Sequence, residues 1–321
     1  MNIEAFSRSK YKSAAKPGDD VILIEPDSVL AVFDGATDPT GAFYDGESSG
    51  RIAARSAAQR TAQLALSGQL QTASSREIFQ SLSDSVRNAA IERNIAHPPS
   101  TTAAIVVRST EHYRLLALGD TGIRINGKTV YQHHKLIDTV STAARIAVHG
   151  ILSGKMGDAD EAEMATRKVV FDGLDAAVES ARLTGEEAAT AIAAAVAAAK
   201  TPLDVAAKFL KGGIRTQFHY ANSACDMGYA SINGKDIITD GVTDILLPKD
   251  EVESIEIFSD GYVSIPADGI HASDWEREFE RVEAIDFHKT GAFPAVKGST
   301  SFESCDDRTI VCAIPPRVEK A

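Results

Sequence analysis

Residues 20–39, DVILIEPDSVLAVFDGATDP, carry the strongest structural signal in the chain. Two short apolar runs, Val21 to Ile24 and Val29 to Phe33, flank a Pro-Asp turn signal. This pattern predicts a hairpin of two buried strands. The second strand stops abruptly at Asp34-Gly35, so the pattern places a carboxylate at the end of a buried strand.

Further strands and helices are predicted on the C-terminal side of this hairpin. Helices are indicated at 48–66, 77–95 and 273–287, the last with Ser273 or Asp274 as its N-cap, and a helical segment runs from about Lys135 to Leu210. The predicted strands lie at 100–109, 112–125, 228–232 and 252–260, with a short one through Tyr131 after an Asn-Gly turn and a last one from 306.

Composition excludes several classes of protein. The 321 residues are 44% apolar and 24% charged, which is typical of a soluble globular chain and not of a disordered, fibrous or membrane-spanning one. The net charge of −12 argues against binding to nucleic acid or to an anionic membrane. The three cysteines lack the spacing of a zinc site or a disulfide framework. No leader or spanning segment is indicated, so we expect a cytoplasmic protein.

Length alone allows about two domains or one large one. No flexible linker marks a boundary, and we therefore expect a single domain over residues 1–321 with a helical insert at about 135–210. The insert carries none of the acidic strand ends, so we expect it to govern substrate choice and to leave the site itself alone. The alternative is that it only covers one sheet face as a pair of core helices.

Acidic residues stand at the borders of several apolar segments. They are Asp19, Asp20, Asp34, Asp120, Asp260, Asp306 and Asp307. Carboxylates gathered at one end of a sheet repel one another unless a cation lies between them. Mg²⁺ and Mn²⁺ prefer such oxygen ligands. The alternative is that these Asp and Gly residues only begin turns.

Six segments, in this order, resemble the motifs of the metal-dependent serine/threonine phosphatases of the type 2C family. They are PGDDVILI, LAVFDGATD, STTAAIVV, LLALGDTG, IEIFSDGYVSI and CDDRTIVCAI. The resemblance implies an α+β fold, a four-layer sandwich of two mostly antiparallel β-sheets flanked by α-helices. It also implies hydrolysis of phosphate monoesters, on a phosphorylated protein or a small phosphomonoester, by a water activated between two Mn²⁺ or Mg²⁺ ions.

The resemblance also implies roles for individual residues. Asp34 would bridge the two ions and the Gly35 carbonyl would contact one of them, while Asp260 and Asp306 would hold the second. Asp34 and Asp260 are therefore the expected catalytic carboxylates. Asp19 or Asp20 would bind directly or through water, and Asp120 would contact a third, more weakly held ion.

Departures from the family pattern leave alternatives open. Ala36 stands where many members have a histidine, and Ser264 replaces a further carboxylate. Lys12 and Lys16 are the nearest candidates for the arginine that grips phosphate. A catalytically weak or inactive phosphatase-like module, binding a metal or a phosphorylated partner, is one alternative. A haloacid-dehalogenase-like phosphatase is another, although it requires a parallel sheet and an acid at position 36.

Overall fold

The computed structural model describes residues 1–13, 16–238 and 240–316. Its strands, in chain order, are β1 (Asn2–Arg8), β2 (Val21–Glu25), β3 (Val29–Gly35), β4 (Phe43–Tyr44), β5 (Glu47–Ser48), β6 (Thr101–Arg108), β7 (His112–Leu118), β8 (Gly122–Ile125), β9 (Thr129–Tyr131), β10 (Val242–Pro248), β11 (Ile255–Phe258) and β12 (Arg308–Ile314).

The α-helices are α1 (Ser49–Leu66), α2 (Gln69–Thr72), α3 (Ser75–Glu92), α4 (Leu136–Ser153), α5 (Ala159–Asp172), α6 (Leu174–Glu179), α7 (Gly185–Ala199), α8 (Leu203–Gly212) and α9 (Ala272–Ile285). Short 3₁₀ helices cover Ile214–His219 and Lys249–Glu251.

The strands form two five-stranded sheets and one small ribbon. Sheet one has the order β1-β12-β11-β8-β9, and sheet two has the order β10-β7-β6-β3-β2. Every pair of described strands runs antiparallel, including the predicted hairpin of β2 and β3. The parallel sheet that a haloacid-dehalogenase-like fold requires is therefore inconsistent with this architecture.

The alternating side chains of β3 show how the layers pack. Val29, Ala31 and Phe33 face a core shared with α1 and α3. Leu30 and Val32 point the other way, into the core between the two sheets. Because β3 is buried on both faces, its sequence is a continuous apolar run. On the far side of sheet one, α9 packs against β11 and β12, so the predicted four-layer sandwich is confirmed.

Helices α4 to α8 enclose an apolar core of their own, in addition to the cores of the sandwich. The alanine-rich α7 lies against α4 with Ala188, Ala191 and Ala195 buried. Small side chains allow this close approach of two helices. Among the described residues, no helix is both long and apolar enough to cross a bilayer.

A buried ion network joins these helices to the loop that follows α9. Glu163, fully buried in α5, accepts hydrogen bonds from Arg145 in α4 (2.5 Å) and Arg167 (3.2 Å). The Gly298 amide also donates to Glu163, at 2.8 Å. Arg145 in turn donates to the carbonyls of Lys289 and Ala295. The helical insert therefore holds residues 288–298 in place.

Four elements differ from the sequence-based prediction. Strand β1 was not predicted, nor was β10, and both lie at the edge of a sheet. Residues 228–232 do not form a strand. They make only isolated bridges, from Ile232 to Thr101 and from Tyr229 to Ala221. Helix α9 begins earlier than predicted, because His271 is its N-cap and the Asp274 carboxylate caps the helix from its first turn.

We expect Glu163→Gln to lower the free energy of unfolding by about 3–5 kcal/mol, because the substitution leaves the fully buried Arg145 guanidinium without a counter-charge, whereas Arg167 retains Glu303. Urea denaturation followed by circular dichroism measures this change. The matched control is Glu187→Gln, which breaks the exposed pair with Lys155 and should leave the midpoint nearly unchanged. Equal midpoints for the two variants would contradict a structural role for the network.

Candidate metal centre

The register of sheet one brings three predicted site residues to one edge. Phe258, the last residue of β11, pairs with Gly122 at the start of β8 and with Ile310 near the start of β12. The residues just beyond these strand ends therefore meet. They are Asp120, Asp260 and Asp306.

Sheet two contributes two more carboxylates at the same end of the sandwich. Val21 pairs with Phe33, so Asp20, which precedes β2, lies beside Asp34 near the end of β3. Asp120 follows β7 of sheet two and precedes β8 of sheet one, so it stands where the chain crosses between the sheets. Asp20 and Asp120 are each only 6% exposed, so their carboxylates are kept out of bulk water.

Close backbone packing, as well as the turn, requires the glycine of each Asp-Gly pair. A side chain at Gly35 would overlap the backbone of Gly50 in α1, and one at Gly261 would overlap the carbonyl oxygen of Asp307. Glycine is the residue that permits such approaches. The glycines thus have a packing role, and the aspartates that precede them need a separate explanation.

Burial and mutual repulsion raise the pKa values of three of these carboxyls. Burial is the main cause at Asp34, whose pKa lies well above its ordinary value, and the charges of Asp20 and Asp260 add to it. Asp260 is itself exposed, but desolvation by the surrounding protein followed by the charge of Asp120 raises its pKa to about 8. For Asp20, burial followed by the charge of Asp307 raises the pKa to about 7. Without a cation, the centre resists full ionisation.

Asp20 provides the clearest test of whether a cation fits. In the described part of the chain, neither of its buried carboxylate oxygens has a hydrogen-bond partner. The hydroxyls of Ser259 and Thr309 lie near enough to oppose the rise in the pKa of Asp20, although Ser259 Oγ accepts the Thr309 amide and Thr309 Oγ1 is hydrogen-bonded to Ser7. Buried polar atoms normally have a partner. An unpartnered carboxylate next to Asp34 offers the kind of oxygen ligands that a divalent cation prefers.

Three lysines that were not predicted reach the edge of the cluster. Lys135 Nζ lies 2.6 Å from Asp120 Oδ2, and Lys297 Nζ donates to Asp306 Oδ2 at 2.9 Å. Lys10 Nζ is 3.8 Å from Asp306 Oδ1. Although burial opposes ionisation of Asp306, the charges of Lys297 and Lys10 lower its pKa to about 2. Lys135 belongs to the start of the helical insert, so the expectation that the insert leaves the site alone is wrong.

Asp19 and Asp307 have their oxygens engaged by the protein. Asp307 accepts the Lys10 amide at 2.6 Å and the Asp19 amide at 2.7 Å, one on each oxygen. Asp19 Oδ1 accepts the hydroxyl of Ser48, which is the N-cap of α1. Asp307 therefore fastens the segments after β1 and before β2 to the start of β12. Of the two adjacent acidic residues, Asp20 has the freer carboxylate.

The two lysines predicted to bind phosphate lie apart from these ion pairs. Lys12 Nζ donates to the Thr300 carbonyl at 2.7 Å. Lys16 Nζ donates to the Tyr11 hydroxyl at 3.0 Å and sits over the Phe43 ring. Within residues 1–13, 16–238 and 240–316, neither lysine forms an ion pair with a carboxylate. Ser264, at the position of a further family carboxylate, donates to Glu278 of α9.

No model of a protein family matches this sequence, and no curated protein matches it. Solved structures of bacterial phosphatases do match. A bacterial serine phosphatase is 11% identical, with all of both chains covered and a TM-score of 0.48. Serine/threonine phosphatase Stp1 from Staphylococcus aureus is 10% identical, with 98% of this chain and 95% of that chain covered and a TM-score of 0.48.

The catalytic domain of the serine/threonine protein phosphatase PstP, in complex with two manganese ions, is 14% identical. The match covers 97% of both chains with a TM-score of 0.46. These matches are to the class of protein that the six motifs resemble. Because their TM-scores are below 0.5, the activity of this chain has to be inferred from its own site.

We expect the cation-free protein to lose stability as the pH rises from about 5 to about 8. Asp20 and Asp260 have an ordinary pKa of 3.8 but titrate near 7 and 8 in the folded protein. The folded state therefore binds more protons than the unfolded state across this window, and that advantage disappears as the pH rises through the folded pKa values. Asp306, with its lowered pKa, acts in the opposite direction but below this window.

Melting curves in EDTA should show a fall in Tm of at least about 3 °C between these pH values. Saturating Mn²⁺ should reduce the fall, and so should Asp34→Asn, which removes one of the repelling carboxylates. A cation-free Tm that stays level or rises over this range would contradict the proposed crowding of charge.

Proposed function

We propose that this protein is a metal-dependent phosphatase of the type 2C family that hydrolyses phosphate monoesters, in particular phosphoserine and phosphothreonine. The observation that carries the proposal is the cluster of buried Asp20, half-buried Asp34 and exposed Asp260, in which Asp20 has two unpartnered oxygens. A purely structural carboxylate would have both of its oxygens hydrogen-bonded within the protein, as Asp307 has.

The residues that would hold two divalent cations follow from this arrangement. Asp34 lies among the other carboxylates and is suited to serve both cations, with the Gly35 carbonyl beside it. Asp260 and Asp306 would hold one of the cations. Asp20 would bind a cation directly, whereas Asp19 is limited by its hydrogen bond from Ser48. Mn²⁺ or Mg²⁺ suits this all-oxygen donor set. Two such ions would lower the pKa of a bound water and neutralise charge on the phosphoryl oxygens.

The side chains around the carboxylates would position the substrate phosphate. Lys297 is the best candidate for binding phosphate, because its ammonium donates to Asp306 and its side chain is 30% exposed. Its loop is held from behind by Glu163, which binds the next amide along the chain. Lys12 and Lys16, the sequence-based candidates, remain the alternatives for this role.

The remaining parts of the proposal concern the protein as a whole. We propose that residues 1–321 act as one cytoplasmic domain, with the insert near 135–210 bordering the substrate. A phosphoprotein is the favoured substrate and a small phosphomonoester the other. We propose no role for nucleic acid or membrane, given the net charge of −12.

We expect p-nitrophenyl phosphate to be hydrolysed with Mn²⁺ or Mg²⁺ and not in saturating EDTA. Asp34→Ala should lower kcat/KM by more than about 100-fold, because the loss of even an indirect metal contact costs 10–100-fold. Asp250→Ala, at an exposed acidic residue outside the centre, is the control. Turnover is followed as nitrophenolate absorbance.

The same variant separates a metal ligand from a structural turn residue. Removing Asp34 relieves repulsion, so its cation-free form should melt no lower than the cation-free wild type. A large drop in Tm would assign Asp34 to the fold instead. Full activity of the wild type in EDTA would exclude the metal mechanism, and Mn²⁺ binding without turnover would indicate the inactive-module alternative.

We expect Lys297→Met to raise KM for p-nitrophenyl phosphate by about 10-fold or more, which is the value of a charge-assisted hydrogen bond. The affinity for Mn²⁺ should not fall, because the ammonium shares Asp306 with the cation. Lys297→Arg should restore most of the loss. If Lys12→Met or Lys16→Met raises KM and Lys297→Met does not, the sequence-based assignment is the correct one.

A further inference from the structure

The residue that precedes α4 is a lysine whose ammonium lies where a cation bound to Asp120 would lie. Lys135, the residue just before α4, has its Nζ 2.6 Å from Asp120 Oδ2 and 3.8 Å from Asp138 Oδ2. The same ammonium is 5.4 Å from the centre of the Tyr229 ring. Its side chain is 19% exposed, so this ion pair is largely withdrawn from solvent.

Both members of the pair are held by the surrounding fold. Gln132 Nε2 donates to the Asp120 carbonyl at 2.7 Å, which fixes the turn between β7 and β8. On the other side, the Asp138 amide donates to the Lys135 carbonyl at 3.1 Å, and Ile137 is buried in the core of the helical insert. The position of the ammonium is therefore set by the start of α4, and Lys135 differs from a mobile surface lysine in this respect.

Over the residues that the structure describes, the carboxylates of the cluster fall into two groups, one without a lysine nearby and one that pairs with Lys135. In the described ranges, no lysine lies within ion-pair distance of Asp20, Asp34 or Asp260. Those carboxylates are open to divalent cations. Asp120 and Asp138 already share an ammonium, which occupies a lone pair of Asp120 and repels any cation brought beside it.

We propose, on the basis of the metal centre proposed above, that Lys135 is a resident cation that takes the place of a metal ion on Asp120. The centre then binds two divalent cations and not three, and Asp120 serves as the counter-ion of Lys135. Removal of the ammonium leaves Asp120 and Asp138 side by side with two negative charges, which one divalent cation neutralises. The lysine therefore sets the metal stoichiometry of the centre.

The test is the number of Mn²⁺ ions bound at equilibrium by the full-length protein, counted from the EPR signal of free Mn²⁺ during titration. We expect two ions in the wild type and three in Lys135→Met, which keeps the length of the side chain and removes its charge. Lys135→Arg should bind two. Lys155→Met, a lysine of the same insert on its exposed face, is the matched control and should also bind two.

Two further variants keep the test independent of any folding defect in Lys135→Met. Asp120→Asn in the wild-type background should still bind two ions, because Asp120 is not a ligand there. Asp120→Asn combined with Lys135→Met should return the count from three to two. Three ions in the wild type, or a loss of one ion on Asp120→Asn alone, would overturn the proposal.

The outcome is also distinguishable from failure of the proposed function. A wild type that binds no Mn²⁺ would refute the metal centre as a whole. A wild type that binds two ions, with three in Lys135→Met, supports the role of Lys135 even if no phosphate ester is hydrolysed. A count of two in both proteins refutes the role of Lys135 and leaves the two-cation phosphatase intact.

Discussion

Confining many carboxylates to one end of a β-sandwich is the constraint on which the rest of this structure depends. Asp20, Asp34 and Asp260 come from loops and strand ends of both sheets, and burial together with the charges of Asp20 and Asp260 raises the pKa of Asp34. Such crowding costs stability in the absence of a counter-charge. Lysines at the edge of the cluster compensate the charges of Asp120 and Asp306, whereas Asp20, Asp34 and Asp260 form no ion pair with a lysine in the described part of the chain.

The apolar cores that pack against the sheets stabilise the fold against this repulsion between carboxylates. β3 is buried on both faces, and its apolar contacts hold Asp34 in position regardless of the charge at its end. Asp307 contributes by accepting hydrogen bonds from two backbone amides, which fixes the segments after β1 and before β2. Functional sites commonly concentrate perturbed carboxyls in this way, and the stability comes from elsewhere in the fold.

Elements with strong local signals could be predicted from the sequence. The β2–β3 hairpin has apolar runs and a turn, and α1 has Ser48 as its N-cap. Strand β1 and strand β10 were missed because edge strands are half-exposed and their polar residues break the pattern. The segment 228–232 has β-forming residues but lies outside both sheets, and only tertiary context decides that.

The carboxylates of the site could be predicted for a similar reason, since each stands next to a buried strand. The lysines could not. Lys10 follows a strand that was missed, Lys135 precedes a helix, and Lys297 lies in a loop without a repeating pattern. Lys10 meets Asp306 across almost the whole chain, and the loop of Lys297 is held by Glu163 through a contact that spans 135 positions of sequence. No local spacing encodes such an approach.

The pairing of β1 with β12 has a consequence for how the protein is made. Ser7 and Thr309 are hydrogen bonded across 302 positions of sequence, and Lys10 meets Asp306 and Asp307 at the same seam. During translation β1 therefore waits for its partner until nearly all of these residues have been synthesised. Contacts of such separation form late and slowly. The nascent chain can assemble sheet two and the helices beforehand, but the carboxylate cluster is complete only after Asp306 and Asp307 have joined it.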